Sequence, residues 1–171
     1  MKFHFIAATI LFLAAPASIA RPVETLSHFL ERGGYSQIAL KKLPTGHETL
    51  AVVLNGTPST FVLDSGSGAT VVHAVVGPRF GLDAANRIGD DTGAGAGGDV
   101  GVAIYRINGI TLSGYKVPLG RIHTIDLTAV VNGLSKEAGV QIDGVIGQDI
   151  LTQYGGIIDV ANDRLYLRLP R

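Results

Sequence analysis

Apolar positions along this chain fall into short β-prone runs, each soon interrupted by Gly, Pro, Asn or Asp, which is the rhythm of strands and tight turns. Residues 35–43 read as a strand, Pro44-Thr45-Gly46 as a turn and 48–54 as a second strand. Asn55-Gly56 predicts a hairpin into a strand over 60–64, because both residues tolerate the positive φ of a two-residue turn. Residues 69–73 return as a strand, and Gly77-Pro78 with Phe80-Gly81 breaks the next segment. A glycine-rich stretch over 89–99 is bounded by strand-like segments, and 100–107 leads through Asn108-Gly109 to a second predicted hairpin with 110–112. Short strands are expected at 117–119 and 121–125, whereas 127–140 fits either a helix or a looping excursion. A β run over 142–147 precedes a short helix over 148–154 that Gly155-Gly156 would stop, and 156–160 pairs with 165–169 around 161–164. Near the amino end, Val23, Leu26, Phe29 and Leu30 share one helical face, and Gly33-Gly34 ends that helix. Many short strands with little helix describe a compact all-β fold.

Composition sharpens this picture in three ways. At 171 residues the chain is one domain's worth, and at 46% hydrophobic with 16% charged it is too apolar for a disordered protein. Fourteen basic and 14 acidic residues balance to a formal charge of zero, and no Lys/Arg stripe marks a nucleic-acid partner. The absence of cysteine excludes disulfides, thiolate metal sites and a cysteine nucleophile. At the amino terminus Lys2 precedes the apolar run 6–15, then Pro16, with Ser18 and Ala20 three and one positions before Arg21. This is the pattern of a secretory signal peptide over 1–20, so an exported chain, periplasmic or secreted and without a stable membrane anchor after cleavage, is expected. Residues 21–34 would then form an amino-terminal helical arm ahead of a single domain over 35–171.

The most informative stretch joins the apolar run Phe61-Val62-Leu63 to Asp64-Ser65-Gly66-Ser67-Gly68 and then to Ala69-Thr70-Val71-Val72. A buried strand of this kind would carry the Asp64 carboxylate into the interior, where it needs hydrogen-bond donors. Ser65, Ser67 and the Gly66 backbone can supply them. The bland alternative is an Asp/Ser/Gly turn between two strands. A second triplet, Asp91-Thr92-Gly93, lacks an apolar strand before it, since Arg87-Ile88-Gly89-Asp90 cannot bury a carboxylate. Asp126, Asp143, Asp149, Asp159 and Asp163 read as turn or helix-end residues. His28, His47, His73 and His123 are scattered without ligand or triad spacing, and HExxH does not occur, so metal hydrolysis and serine-type catalysis are poor readings.

Taken in order, Phe61-Val62-Leu63-Asp64-Ser65-Gly66-Ser67 and Val145-Ile146-Gly147-Gln148-Asp149-Ile150-Leu151 resemble the two motifs of the retropepsin-like aspartic protease family, over about residues 35–169. The resemblance implies a closed β-barrel lobe with one short helix after the second motif, and it implies no cofactor or metal. It makes Asp64 the catalytic acid, Ser65, Gly66 and Ser67 its loop, and Val145, Ile146 and Gly147 a strand that braces the loop from behind. Gly66 N–H would donate to the carboxylate, the Ser67 hydroxyl would stabilise its charge, and Ser65 would bond across to a partner loop. The stretch holding Gly93, Gly95, Gly97 and Gly98 takes the place of the flap, a hairpin that closes over substrate. Retroviral members usually pair an acid two positions after the active-site glycine with an arginine after the second motif's glycine. Gly68 and Gln148 stand there in this chain, so acid and base are missing together.

Only one qualifying Asp-Ser-Gly is present, and no internal duplication is evident. A catalytic pair of aspartates therefore implies a two-fold homodimer acting on a peptide or protein substrate. The function expected is an aspartic endopeptidase. The second reading is a catalytically inactive, dimeric peptide-binding module of the cell envelope with the same fold.

Overall fold

In a computed structural model of the chain, residues 24–95 and 98–170 are described. The expected signal segment and Gly97 lie outside them. The fold is mostly β, at 42% strand and 21% helix.

Helix α1 (Leu26–Arg32) opens the described chain, with the Thr25 side chain accepting from His28 N–H and Gly33 closing the last turn. Of its expected apolar face Val23 lies outside the described residues, Leu30 is buried, and Leu26 and Phe29 are exposed. Strands β1 (Ser36–Ala39) and β2 (Lys41–Lys42) divide what the sequence suggests is one strand. The break at Leu40, whose N–H donates to the Asp163 carbonyl, sends β1 to one sheet and β2 to the other. A three-stranded sheet orders β1, β13 (Arg164–Leu167) and β12 (Ile157–Asp159).

The main sheet is built on β3 (Glu48–Leu54) and β4 (Thr57–Leu63), joined at Asn55-Gly56 with φ of 49° and 83°, as the hairpin prediction requires. The chain continues through β5 (Val71–His73) and a 3-10 helix (Ala74–Phe80) to the long hairpin of β6 (Arg87–Gly95) and β7 (Gly98–Arg106). Then come β8 (Ile110–Leu112), β9 (Tyr115–Val117), β10 (Arg121–Ile125), helix α2 (Thr128–Ala138), β11 (Gly144–Ile146) and helix α3 (Gln148–Gln153). The sheet order is β6-β7-β10-β5-β11-β4-β3-β8-β9, with β2 on the side of β3. Pairings among the described residues thus trace a path whose two ends are β6 and β9, and a ring joining those ends is not among them. No helix among them is long and apolar enough to cross a membrane.

Asn108-Gly109 is not a hairpin turn. Strand β8 pairs with β3 and β9 rather than with β7, and the β8–β9 hairpin turns at Ser113-Gly114, with φ of 47° and 91°. Asn55 explains the difference: its N–H donates to the Gly109 carbonyl and its side-chain oxygen accepts from Asn108 N–H, which anchors that corner to the first hairpin.

Strand β11 places the site. It runs parallel to β4, with Val145 opposite Val62 and Ile146 opposite Leu63, and antiparallel to β5. Ile146 faces one core cluster with Phe61, Val72 and Ile150, and Val145 faces another with Val62, Val71, Leu127 and Ile142. An apolar run without alternation suits a strand buried on both faces. Gly144 is obligatory here, because a Cβ would stand 2.4 Å from the Val71 carbonyl oxygen and 2.6 Å from the Phe61 ring.

Candidate active site

Strand β4 ends at Leu63, and the next residue, Asp64, keeps its N–H in register with β11 by donating to the Ile146 carbonyl at 3.0 Å. The chain then turns: Ser67 N–H donates to the Asp64 carbonyl at 3.2 Å, and Gly66 N–H donates to the Asp64 carboxylate Oδ1 at 2.8 Å. A side chain at position 66 would crowd that same oxygen at 3.1 Å. The donor expected for the carboxylate from Gly66 is therefore present.

Two expectations are corrected. Asp64 is exposed rather than carried into the interior, because it stands one residue beyond the buried strand, on an open face of the chain. The Ser67 hydroxyl does not serve the carboxylate; its one proton goes to the Ala69 carbonyl at 2.8 Å, where it tightens the loop on itself. Ser65 is exposed beside Asp64.

Behind the loop, Gly147 is packed so closely that a Cβ would lie 2.4 Å from the Ala69 carbonyl oxygen and 2.9 Å from that of Ser67. Helix α3 begins at this point and ties down the loop from below. Gln148 N–H donates to the Ser67 carbonyl at 2.8 Å, and the Gln148 side-chain amide donates to the Ser65 carbonyl at 2.6 Å. The residue at the arginine position of retroviral members thus holds the loop by neutral hydrogen bonds. Asp149 Oδ1 accepts from Thr70 N–H at 2.9 Å, from the Thr70 hydroxyl at 2.7 Å and from Ile150 N–H at 2.8 Å. Thr70 in turn accepts from Gly147 N–H at 3.1 Å. Asp149 is therefore a helix-end residue, as expected, but one whose partners lie on the candidate loop. The sequence signal was the pair of polar residues set between Gly147 and the apolar Ile150-Leu151.

Asp143 is more than a turn residue. It is 2% exposed, with Oδ2 accepting from Thr60 N–H at 3.1 Å and from the Arg79 guanidinium at 2.9 Å, and Oδ1 accepting from the Gln141 amide at 2.9 Å. Arg79 also donates to the Pro58 carbonyl, so this half-buried ion pair clamps β4 to the entrance of β11. Asp126 and Asp159 behave as expected: Asp126 accepts from the Thr128 hydroxyl and N–H at the start of α2, and those bonds hold its carboxyl below the usual range, while Asp159 accepts from Asn162 in the β12–β13 turn. Buried His73 accepts from Leu127 N–H at its Nδ1, a structural role.

Asp91 lies within β6, exposed, its carboxylate accepting from the adjacent Thr92 N–H. It has no strand-to-loop position like that of Asp64. The glycine-rich stretch is the two-stranded hairpin that was expected, pairing Gly93 with Val100 and Gly95 with Gly98. Between this hairpin and the candidate loop lies a cleft of about 290 Å³ whose walls include Ser67, Gly68, Ala69, Gly93, Val102 and His123. Among the described residues no group of three or more His, Asp or Glu is arranged to hold a metal ion.

Comparison with known proteins agrees with this geometry. Residues 50–150 match the sequence profile of the family described as aspartyl protease, a span running from β3 into α3 and containing both motifs. Among solved structures, a retropepsin-like aspartic protease from Rickettsia conorii has a similar fold, with a TM-score of 0.54, 20% identity, and coverage of 78% of this chain and 89% of that one. No curated protein matches the sequence.

Proposed function

The chain belongs to the aspartyl protease family, and from that premise we propose that it is an endopeptidase whose catalytic acid is Asp64, acting in pairs across a homodimer axis. The observation that carries this reading is the single exposed carboxylate at the end of β4, held by Gly66 N–H on a loop braced by Gly147 and α3. One such carboxylate per chain makes half a site, and its exposure suits a position on a two-fold axis. Ser65, exposed on the same loop, is placed in this reading against the partner's loop.

In the assembled pair the two Asp64 side chains share one proton, since like charges a few ångströms apart do not both ionise. A water held between them loses a proton to the ionised carboxylate as its oxygen bonds to the peptide carbonyl carbon, while the other Asp64 gives the shared proton to the carbonyl oxygen as the C=O π bond opens. The carboxyl that took the water's proton then passes it to the amide nitrogen as the C–N bond breaks and the C=O bond re-forms, one diol hydroxyl returning its proton to the other Asp64, which leaves a new acid, a new amine and the original pair. The β6–β7 hairpin covers the substrate as a flap, with Gly93, Gly95 and Gly98 in its paired arms and Gly97 outside the described residues. The amino-terminal pattern adds export to this proposal, and mass spectrometry of the exported protein is expected to find Arg21 at its amino terminus.

The test compares Asp64→Asn with Asp91→Asn on a broad peptide library, with and without a statine-type inhibitor. Asp64→Asn is expected to fold normally and lose at least a thousandfold in kcat/KM, as loss of a triad member does in other hydrolases, by about that order. Asp91→Asn is expected to keep cleaving. The reverse result would assign catalysis to the hairpin triplet, and no cleavage by the unmodified protein would favour the inactive peptide-binding module.

A further inference from the structure

Asn-Gly occurs three times in this chain, at 55–56, 108–109 and 132–133. The pair has a chemistry of its own, apart from turn formation. The nitrogen that follows an asparagine attacks the side-chain amide carbon when nothing holds either group, and glycine, having no Cβ, leaves that nitrogen unshielded. The fold gives the three pairs unequal freedom. Asn55 is half-buried with its side chain held at both ends: the amide nitrogen donates to the Phe80 carbonyl at 2.9 Å, and the amide oxygen accepts from Asn108 N–H at 2.8 Å. Gly133 lies inside α2, where its N–H belongs to the helical ladder. Asn108 is exposed, between β7 and β8. Among the described residues its side chain, its carbonyl and the Gly109 N–H have no hydrogen-bond partner. Space around the pair is open, since a Cβ on Gly109 would meet no atom within 4 Å beyond its chain neighbours.

We infer that Asn108 is a site of spontaneous modification, deamidating through a cyclic imide, and that the fold protects Asn55 and Asn132 from the same reaction. The Gly109 nitrogen gives its proton to solvent and bonds to Asn108 Cγ. The Cγ–NH₂ bond then breaks, and ammonia leaves with a proton taken from solvent. One water opens the five-membered ring. Opening at the Cγ carbonyl gives aspartate, and opening at the main-chain carbonyl gives isoaspartate, whose backbone runs through the former side chain and is one carbon longer. The net change is hydrolysis of a primary amide, with water as the co-reactant. That extra carbon falls between two anchors, because Asn55 accepts from Asn108 N–H and donates its own N–H to the Gly109 carbonyl at 2.9 Å. A longer segment between fixed anchors weakens one of them, so the isoaspartyl chain has a looser junction from β7 to β8.

The test ages the full chain in warm, mildly alkaline buffer, folded and in urea, and samples it over weeks. Samples are digested at acidic pH and read by mass spectrometry, with isoaspartate told from aspartate by fragmentation. In the folded chain the peptide holding 108–109 is expected to deamidate at least about tenfold faster than those holding 55–56 and 132–133, whose hydrogen bonds must break first. In urea the three rates should converge, which separates protection by the fold from local sequence. Both aspartate and isoaspartate are expected at position 108. Gly109→Ala, whose methyl shields the nitrogen without a clash, should slow the reaction several-fold and leave the melting temperature unchanged. Chain enriched in isoaspartate should melt about 2–4 °C lower, the worth of one lost hydrogen bond in a chain of this size. Equal or faster loss at Asn55 or Asn132 in the folded chain would overturn the site. Aspartate as the sole product, or an undiminished rate in Gly109→Ala, would overturn the imide route, and equal melting of the native and isoaspartyl chains would overturn the loosening.

Discussion

At the scale of single residues, Gly147 and Arg79 test how the loop is held. A methyl group at position 147 would meet the Ala69 carbonyl at a distance that no packing tolerates, so the loop or β11 must shift. Gly147→Ala is expected to lower stability by about 1–3 kcal/mol in urea unfolding and to reduce kcat, since the displaced loop carries Asp64. Removing Arg79 leaves the Asp143 carboxylate buried with only neutral donors. Arg79→Ala should cost about 2 kcal/mol, less than for a fully buried pair because the arginine is partly open to water. A stability loss below about half a kcal/mol would show that the pair does not clamp β4. The sequence made Asp64 and Gly147 legible because each sits at the end of an apolar run, a local pattern. It did not reveal Asp143, whose partners Arg79 and Thr60 are 64 and 83 residues away. The exposure of Asp64 was also hidden, since strand burial says nothing of the first residue past the strand.

Among the elements, the two Asn-Gly pairs show where local turn chemistry ends. Both residues of Asn55-Gly56 adopt positive φ and join β3 to its direct neighbour, so the hairpin formed as read. At Asn108-Gly109 tertiary pairing prevailed: β8 found a partner in β3, and the Asn55 side chain took up the Asn108 N–H. Helix α2, ambiguous from sequence, follows a turn in which Asp126 accepts from Thr128 N–H, a bond that only the structure shows. The long β6–β7 hairpin was legible because its glycine-rich centre lies between strand-like arms. The proposed function of this hairpin as a lid predicts that Gly93→Val, which thickens the wall facing Val102, raises KM several-fold with little change in melting temperature. Unchanged kinetics would exclude this hairpin arm from the substrate groove.

On the scale of the whole molecule, one chain provides one loop, one hairpin and one carboxylate in the proposed catalytic position. The family and the fold rest on the matched span and the threaded strand β11, whereas the pairing of two chains is what the proposed chemistry adds. The most direct measurement of that claim is specific activity as the protein is diluted, combined with mixing of native chain and excess Asp64→Asn chain under conditions where a tag shows subunit exchange. Activity per chain is expected to fall along the monomer–dimer equilibrium, and mixing should depress it below simple dilution because mixed pairs hold only one ionisable Asp64. Constant activity per chain from a species shown to be monomeric would contradict a site built from two Asp64 carboxylates.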